Sequence, residues 1–118
     1  MAYTITLIPG DGVGKEVIPA AAEVLQILNL GFTFVEAGAG FACFEKYGSA
    51  LPDATLALAR QSDAVLFGAT SSPSTIVPGY SSPILALRKD FNLYANLRPV
   101  TIPFASSRSS GLQSLPFR

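Results

Sequence analysis

The order of apolar and polar positions along the chain predicts strands that alternate with helices. Residues 3–9 (YTITLIP) are apolar and β-branched without a charge, which is typical of a strand buried on both faces. Residues 15–28 (KEVIPAAAEVLQIL) follow a glycine-rich turn and repeat apolar side chains at helical spacing. Residues 32–36 (FTFVE) predict a second strand, so the beginning of the chain predicts a β-α-β unit.

The alternation continues through the middle of the chain. Residues 41–48 (FACFEKYG) predict one or two helical turns that the final glycine closes. Asp53 stands where it would cap a helix over residues 54–61 (ATLALARQ), and residues 64–67 (AVLF) predict a short apolar strand. Together these elements predict the α/β class, with an open parallel sheet flanked by helices.

Residues 70–82 differ from the elements on either side. The segment TSSPSTIVPGYSS has five serines, two threonines and two prolines, which indicates a loop of a length usually associated with function. Ser82 as N-cap and Pro83 at the first helical position then predict a helix that runs to about Phe91. Residues 93–98 (LYANLR) predict a further strand.

The last residues break the pattern. From residue 104 onward the sequence FASSRSSGLQSLPFR has no acidic residue and neither a helical nor a strand period. We therefore expect a domain over residues 1–103 and a disordered or aberrant tail over residues 104–118.

Composition removes several kinds of chemistry from consideration. The 118-residue chain has no histidine and one cysteine, Cys43, so it offers no imidazole base, no histidine-ligated zinc and no internal disulfide. Eight Lys+Arg balance eight Asp+Glu, which gives no basic surface for nucleic acid or an anionic membrane. No apolar run reaches the roughly 18 residues of a membrane span, and no leader is visible, so we expect a cytoplasmic protein.

A glycine-rich turn follows the first predicted strand. Gly10, Gly12 and Gly14 have a G-x-G-x-G spacing that fits neither the dinucleotide fingerprint nor the Walker pattern, which needs Ser or Thr where Glu16 stands. Two interpretations stay open: a tight strand-to-helix connection, or a turn that also lines a ligand cleft. The position favours the second, because the carboxyl ends of parallel strands form the usual crevice of open α/β sheets.

Two arginines are the most informative candidate residues. Arg88 falls near the end of the helix predicted from Ser82, and Arg98 ends the strand predicted after it. Two guanidinium groups brought together there would repel each other unless an anion lies between them, and a small di- or tricarboxylate would bind both. The alternative, from spacing alone, is that each arginine pairs with a structural carboxylate or stays solvated.

At these residues the chain resembles a known family. The segments ITLIPGDGVGKEVIPAA, FGATSSPST and above all VPGYSSPILALRKDFNLYANLRPV resemble the N-terminal part of the isocitrate/isopropylmalate dehydrogenases, also called β-decarboxylating dehydrogenases. Within the family, these segments are most similar in sequence to the homoisocitrate dehydrogenases, especially the fungal forms. The resemblance covers residues 3–100 and implies the incomplete N-terminal portion of an isopropylmalate-dehydrogenase-like fold.

The resemblance implies NAD-dependent oxidative decarboxylation of a 2-hydroxy tricarboxylic acid, most closely homoisocitrate in lysine biosynthesis, with the help of Mg²⁺ or Mn²⁺. It also implies which residues bind each reactant. The substrate would be bound by Arg88, Arg98, Ser72 and Ser82, and the cofactor by Thr70, Ser71 and Ser72. For Ser82, the role of N-cap is an equal alternative.

The resemblance also implies that relatives are roughly three times longer, with two domains, and homo-oligomeric. Their metal-binding aspartates, catalytic lysine and catalytic tyrosine lie beyond the point where this chain stops. We therefore expect a truncated product that is inactive alone, with no catalytic residue or metal ligand of its own. A mitochondrial location, by resemblance to fungal relatives, is the alternative to a cytoplasmic one.

Several functions remain open. The substrate is homoisocitrate, isocitrate or isopropylmalate if the chain is part of an enzyme. Otherwise the chain is a non-catalytic module that binds an anion or regulates a longer homologue.

Overall fold

The computed structural model describes residues 2–100. Within that range the elements are β1 (Tyr3–Gly10), α1 (Gly14–Ile27), β2 (Phe32–Glu36), α2 (Phe41–Tyr47), α3 (Asp53–Gln61), β3 (Ala64–Ala69) and α4 (Pro83–Asp90). This alternation confirms the predicted α/β class. The tail predicted over residues 104–118 lies outside the described residues.

The three strands form one parallel sheet with β1 in the middle. The strand order is β2-β1-β3, and Leu7 pairs with Glu36 on one side and with Leu66 on the other. All four residues from Ile5 to Ile8 are buried. This confirms the prediction that the first strand is covered on both faces, as the central strand of a parallel sheet must be.

Two apolar clusters, one on each face of the sheet, form the core. Successive side chains of β1 point to opposite faces, so the strand contributes to both clusters. The clusters consist of Ile5, Leu7, Ile18 and Ala22 on the α1 face, and of Ile8, Ala39, Ala59 and Leu87 on the face covered by α3 and α4. The packed helices hold the carboxyl ends of β1 and β3 side by side, which is where the candidate residues lie.

Helix α1 buries fewer of its apolar residues than the sequence pattern suggests. Its buried residues are Gly14, Ile18 and Ala22, whereas Val17 and Val24 are 48% and 59% exposed. The helix is apolar on more than one face, and the face that carries Ile18 and Ala22 packs against the sheet. Within residues 2–100, no helix is long and apolar enough to cross a membrane.

Two local predictions are wrong. Pro52, rather than Asp53, occupies the N-cap position of α3, and the Pro52 carbonyl accepts the bond from the Leu56 N–H. Residues 93–98 form no strand. An extended segment becomes a strand only by pairing its backbone with a neighbour, and among residues 2–100 none lies alongside this one.

Candidate active site

Asp11, in the turn after β1, has a buried carboxylate that three backbone N–H groups bind. Its Oδ2 accepts hydrogen bonds from Phe41 at 2.7 Å and from Ser71 at 2.9 Å, and its Oδ1 accepts one from Ala42 at 3.0 Å. The residue is 7% exposed. The carboxylate therefore joins the turn to the start of α2 and to the loop after β3.

The hydrogen bonds keep the Asp11 carboxyl group ionised. Burial acts to raise its pKa, but the N–H groups of Ala42, Phe41 and Ser71, with the charge of Lys15 nearby, outweigh burial and hold the pKa below the usual 3.8. Asp11 is absent from the site residues predicted from the sequence. The signal that points to it is an acidic residue between two glycines at the carboxyl end of an apolar strand.

Tyr80 binds the same loop from the other side. Its hydroxyl donates a hydrogen bond to the Ser71 carbonyl at 3.0 Å. Its ring packs edge-on against Phe41 and Phe44 of α2, with centroid distances of 5.6 and 5.4 Å. Burial raises the pKa of Tyr80 and the charge of Asp11 adds to this effect, so the hydroxyl keeps the proton that it donates.

The glycine-rich turn is packed against the end of β3. A side chain at Gly10, where φ is +77°, would overlap the carbonyl oxygen of Ala69, and one at Gly14 would overlap the carbonyl of Pro9. Close packing therefore accounts for both glycines, as in the first interpretation of the turn. Gly12 is different, because it is exposed and has open space on the side where a Cβ would stand.

The predicted cofactor residues Thr70, Ser71 and Ser72 follow directly after β3, at the carboxyl end of the sheet. Ser71 and Ser72 are exposed and Thr70 is half-buried. Within residues 2–100 none of their three hydroxyl groups takes part in a hydrogen bond, whereas the Ser71 backbone is bound at both its N–H and its carbonyl. The segment thus combines a held backbone with free hydroxyl groups.

Ser82 and Arg88 lie at opposite ends of α4. Ser82 is the N-cap and Pro83 the first helical residue, as predicted, but the Ser82 hydroxyl makes no capping hydrogen bond.

Arg88 is exposed in the last turn. Asp90, the acidic residue nearest to it in sequence, accepts two hydrogen bonds from Arg60 of α3, at 2.6 and 3.1 Å. Within residues 2–100 this is the only ion pair, so Arg88 has no acidic partner there.

Arg88 and Arg98 differ in their surroundings. Arg88 and residues 93–97 line a recess of about 390 Å³, whose lining does not include Arg98. The Arg98 side chain is exposed, and its Nε lies 3.4 Å from the Asn96 Oδ1. The recess therefore adjoins one of the two predicted carboxylate-binding arginines.

A larger cleft, of about 850 Å³, opens at the carboxyl ends of β1 and β2. Its walls are mostly apolar, and they carry the two cationic side chains Lys15 and Lys46. The predicted substrate and cofactor residues do not line this cleft, but Gly10 does, so the glycine-rich turn also lines a cleft as the second interpretation expects. Among residues 2–100, no three His, Cys, Asp or Glu side chains come together as metal ligands, so this part of the chain does not by itself fit Mg²⁺ or Mn²⁺.

Comparisons with known proteins converge on one family. The model of the isocitrate/isopropylmalate dehydrogenase family matches residues 4–115. An isocitrate/homoisocitrate dehydrogenase of Thermus thermophilus is 50% identical over 99 residues, which are 84% of this chain and 30% of the relative. A 3-isopropylmalate dehydrogenase of Moorella thermoacetica is 45% identical over 106 residues, covering 82% of this chain and 30% of the relative.

A solved structure agrees with these matches. The crystal structure of a β-decarboxylating dehydrogenase from Thermococcus kodakarensis superposes with a TM-score of 0.72 at 44% identity, covering 78% of this chain and 27% of that one. The superposition confirms the predicted fold. The chain thus spans less than a third of the length of the proteins that it matches.

Proposed function

Because the chain belongs to the isocitrate/isopropylmalate dehydrogenase family, we propose that it supplies the substrate-binding arginines and part of the cofactor cleft of an NAD-dependent oxidative decarboxylase. The substrate that we propose first is homoisocitrate. Isocitrate and isopropylmalate, which occur in the names of the relatives, are the closest alternatives.

The observation that carries this proposal is the environment of Arg88. Its guanidinium is exposed at the end of α4 and borders a recess, while Arg60 binds the nearby carboxylate of Asp90. A guanidinium without an acidic partner beside a recess is suited to bind a carboxylate of a small anion through two parallel hydrogen bonds.

The other predicted residues complete the assignment. In our proposal Arg98 binds a second carboxylate of the same substrate, and Ser72 and Ser82 donate hydrogen bonds to it. Thr70, Ser71 and Ser72 border the nicotinamide ring. In this assignment the residues of this chain hold the substrate and NAD in position, and bound NAD would supply the acceptor for the hydride of the 2-hydroxyl carbon.

The proposal is tested by titrating the isotopically labelled 118-residue chain with homoisocitrate, isocitrate and isopropylmalate. We expect the Nε–H signals of Arg88 and Arg98 to shift together and to saturate at the lowest concentration with homoisocitrate. Arg88→Lys keeps the charge but lacks the planar fork, so we expect it to weaken binding by about tenfold.

Lys89→Arg is the matched control, because it changes a neighbouring cation on the same helical turn and we expect it to leave the affinity unchanged. Equal affinities of Arg88→Lys and the unaltered chain would refute the role of Arg88. Saturable shifts at Arg88 alone would refute the shared anion.

A second candidate function is a non-catalytic anion-binding module that pairs with a longer homologue. The apolar outer face of α1, with Val24 59% and Ile27 75% exposed, favours such pairing. Both functions predict no NADH from the chain alone with NAD, magnesium and homoisocitrate, and sustained turnover would overturn the expectation that the chain is inactive alone. Co-purification separates the two functions. A stoichiometric complex with a longer dehydrogenase chain supports the module, whereas a chain that binds homoisocitrate and forms no such complex supports the part of an enzyme.

A further inference from the structure

We propose that Asp11 is a positioning residue that, together with Tyr80, fixes the backbone of residues 70–72 so that their hydroxyl groups meet a bound nicotinamide nucleotide. The inference rests on the proposed function of that segment and adds to it two residues that do not touch the reactants themselves.

The first support is the way in which Asp11 holds the loop after β3. Its backbone N–H donates to the Ala69 carbonyl at 2.7 Å, and its carboxylate accepts the Ser71 N–H at 2.9 Å. One residue therefore binds the chain immediately before and immediately after Thr70. Hydrogen bonds to a buried carboxylate are stronger than bonds between neutral groups, so this stretch of backbone has little freedom.

The second support is a closed ring of contacts. Asp11 binds the first N–H groups of α2, and the rings of Phe41 and Phe44 on that helix pack against Tyr80. Tyr80 in turn donates to the Ser71 carbonyl. The Ser71 backbone is bound at both its N–H and its carbonyl. A substitution at any member of the ring should therefore change how firmly Ser71 is held.

The third support is what the ring leaves unbound. The hydroxyl groups of Thr70, Ser71 and Ser72 make no hydrogen bond within residues 2–100, although the backbone of the segment is held. A carboxylate that served only to cap α2 would need no bond to Ser71. Fixed backbone with unused donors is what a site must provide to orient a ligand at low entropic cost.

Two variants of the full 118-residue chain test this inference. Asp11→Asn removes the charge and one acceptor oxygen, and Tyr80→Phe removes only the bond to the Ser71 carbonyl while keeping the packed ring. We expect Asp11→Asn to speed amide hydrogen exchange at Ser71, whose N–H the carboxylate binds, by about tenfold and to weaken NAD binding by a similar factor. Tyr80→Phe should act in the same direction with a smaller effect.

Asp63→Asn is the matched control. Asp63 also accepts a backbone N–H, that of Thr4 at 2.8 Å, but at the opposite end of β1. We expect this variant to leave both the exchange of the Ser71 amide and the affinity for NAD unchanged. Homoisocitrate binding, followed at Arg88, should stay within error in Asp63→Asn. In Asp11→Asn and Tyr80→Phe it should weaken less than NAD binding does, because, of the substrate contacts, only that of Ser72 lies in the segment that the ring holds.

The outcomes separate the inference from the proposed function. If the unaltered chain binds NAD and neither variant changes the affinity or the exchange at Ser71, Asp11 is only a cap of α2 and the inference is overturned. The inference is also overturned if Asp11→Asn speeds amide hydrogen exchange only at Phe41 and Ala42, because Asp11 would then stabilise only the start of α2. If the unaltered chain does not bind NAD, the proposed function of the segment fails, and the ligand role of Asp11 fails with it. If Asp11→Asn does not fold, Tyr80→Phe alone decides.

Discussion

At the scale of single residues, the side chain that most clearly connects different parts of the molecule is Asp11. Removing a carboxylate from water is costly unless hydrogen bonds replace the water, and here three backbone N–H groups do so. Lys15 adds a favourable charge, and the charge of Asp11 in turn helps to raise the pKa of Tyr80, which stays neutral at ordinary pH. The folded state therefore favours the ionised form of Asp11.

This preference makes stability depend on pH. Because the pKa of Asp11 is lower in the folded than in the unfolded chain, its contribution is complete above pH 3.8 and is lost as the pH falls through the folded value. We expect the free energy of unfolding, measured with urea between about pH 2 and pH 5, to fall less steeply toward acid in Asp11→Asn than in the unaltered chain. Equal slopes of the free energy of unfolding against pH in the two chains would contradict the conclusion that folding favours the ionised form of Asp11.

At the scale of elements, the packing of α1 against the sheet depends on two small residues. The ideal Cβ of either Gly14 or Gly68 would overlap the carbonyl oxygen of Pro9. Helix α1 and strand β3 thus both approach the end of β1 more closely than any side chain allows. This contact holds the glycine-rich turn against β3 and so places Asp11 within reach of Ser71.

Alanine at position 14 tests this packing. Alanine favours a helix over glycine by up to about 1 kcal/mol, so propensity alone predicts that Gly14→Ala stabilises the chain. We expect instead a loss of about 3 kcal/mol in the free energy of unfolding, because backbone must move to admit the methyl group.

Gly12→Ala is the control for this prediction. Gly12 has φ +52° and nothing within 4 Å of a Cβ. The substitution should therefore lower the free energy of unfolding only by the strain of the left-handed conformation, about 1 kcal/mol. A smaller loss for Gly14→Ala than for Gly12→Ala would show that the helix can shift away from the strand.

At the scale of the whole molecule, the described part of the chain has surfaces that a small soluble domain ordinarily covers. Val17, Val24 and Ile27 form an outer apolar face of α1, with Ile27 75% exposed. Within residues 2–100, β2 and β3 each pair on one side only, and unpaired edges promote association between chains. The relatives are more than three times as long as the matched segment, so these surfaces are where further structure could pack.

We expect the chain to self-associate through this apolar face, and Val24→Lys to reduce the association. Val24 is 59% exposed, so the free energy of unfolding should change by no more than about 0.5 kcal/mol. Ala22→Lys, at a position 6% exposed on the opposite side of α1, should unfold the chain instead. Sedimentation velocity over a range of concentrations measures the first effect and urea unfolding the second. Unchanged association of Val24→Lys would place the contact elsewhere.

Local pattern was sufficient for most elements because strands and helices depend on neighbouring residues. The uncharged β-branched run became the central strand, and the glycine after residues 41–47 closes α2 with φ +75°. Ser82 and Pro83 begin α4 as predicted. Apart from the start of α3, which lies one residue from its predicted place, the missing information where the sequence prediction failed was a packing or pairing partner. Residues 93–98 have the composition of a strand but pair with no other part of residues 2–100, and the apolar residues of α1 do not reveal which face meets the sheet.

The sequence by itself determined the class of fold, the glycine-rich turn and the family, because these follow from local periodicity and from motifs written in consecutive residues. Only the tertiary structure decided what Asp11 does, which glycines are required by packing, and that Arg60 rather than Arg88 binds Asp90. The physical reason is the same in each case. The hydrogen bonds of Asp11 and Arg60 join residues 30 to 60 positions apart, and the glycine contacts exist because α1 and β3 approach the end of β1, so each arises only when the helices pack on the sheet.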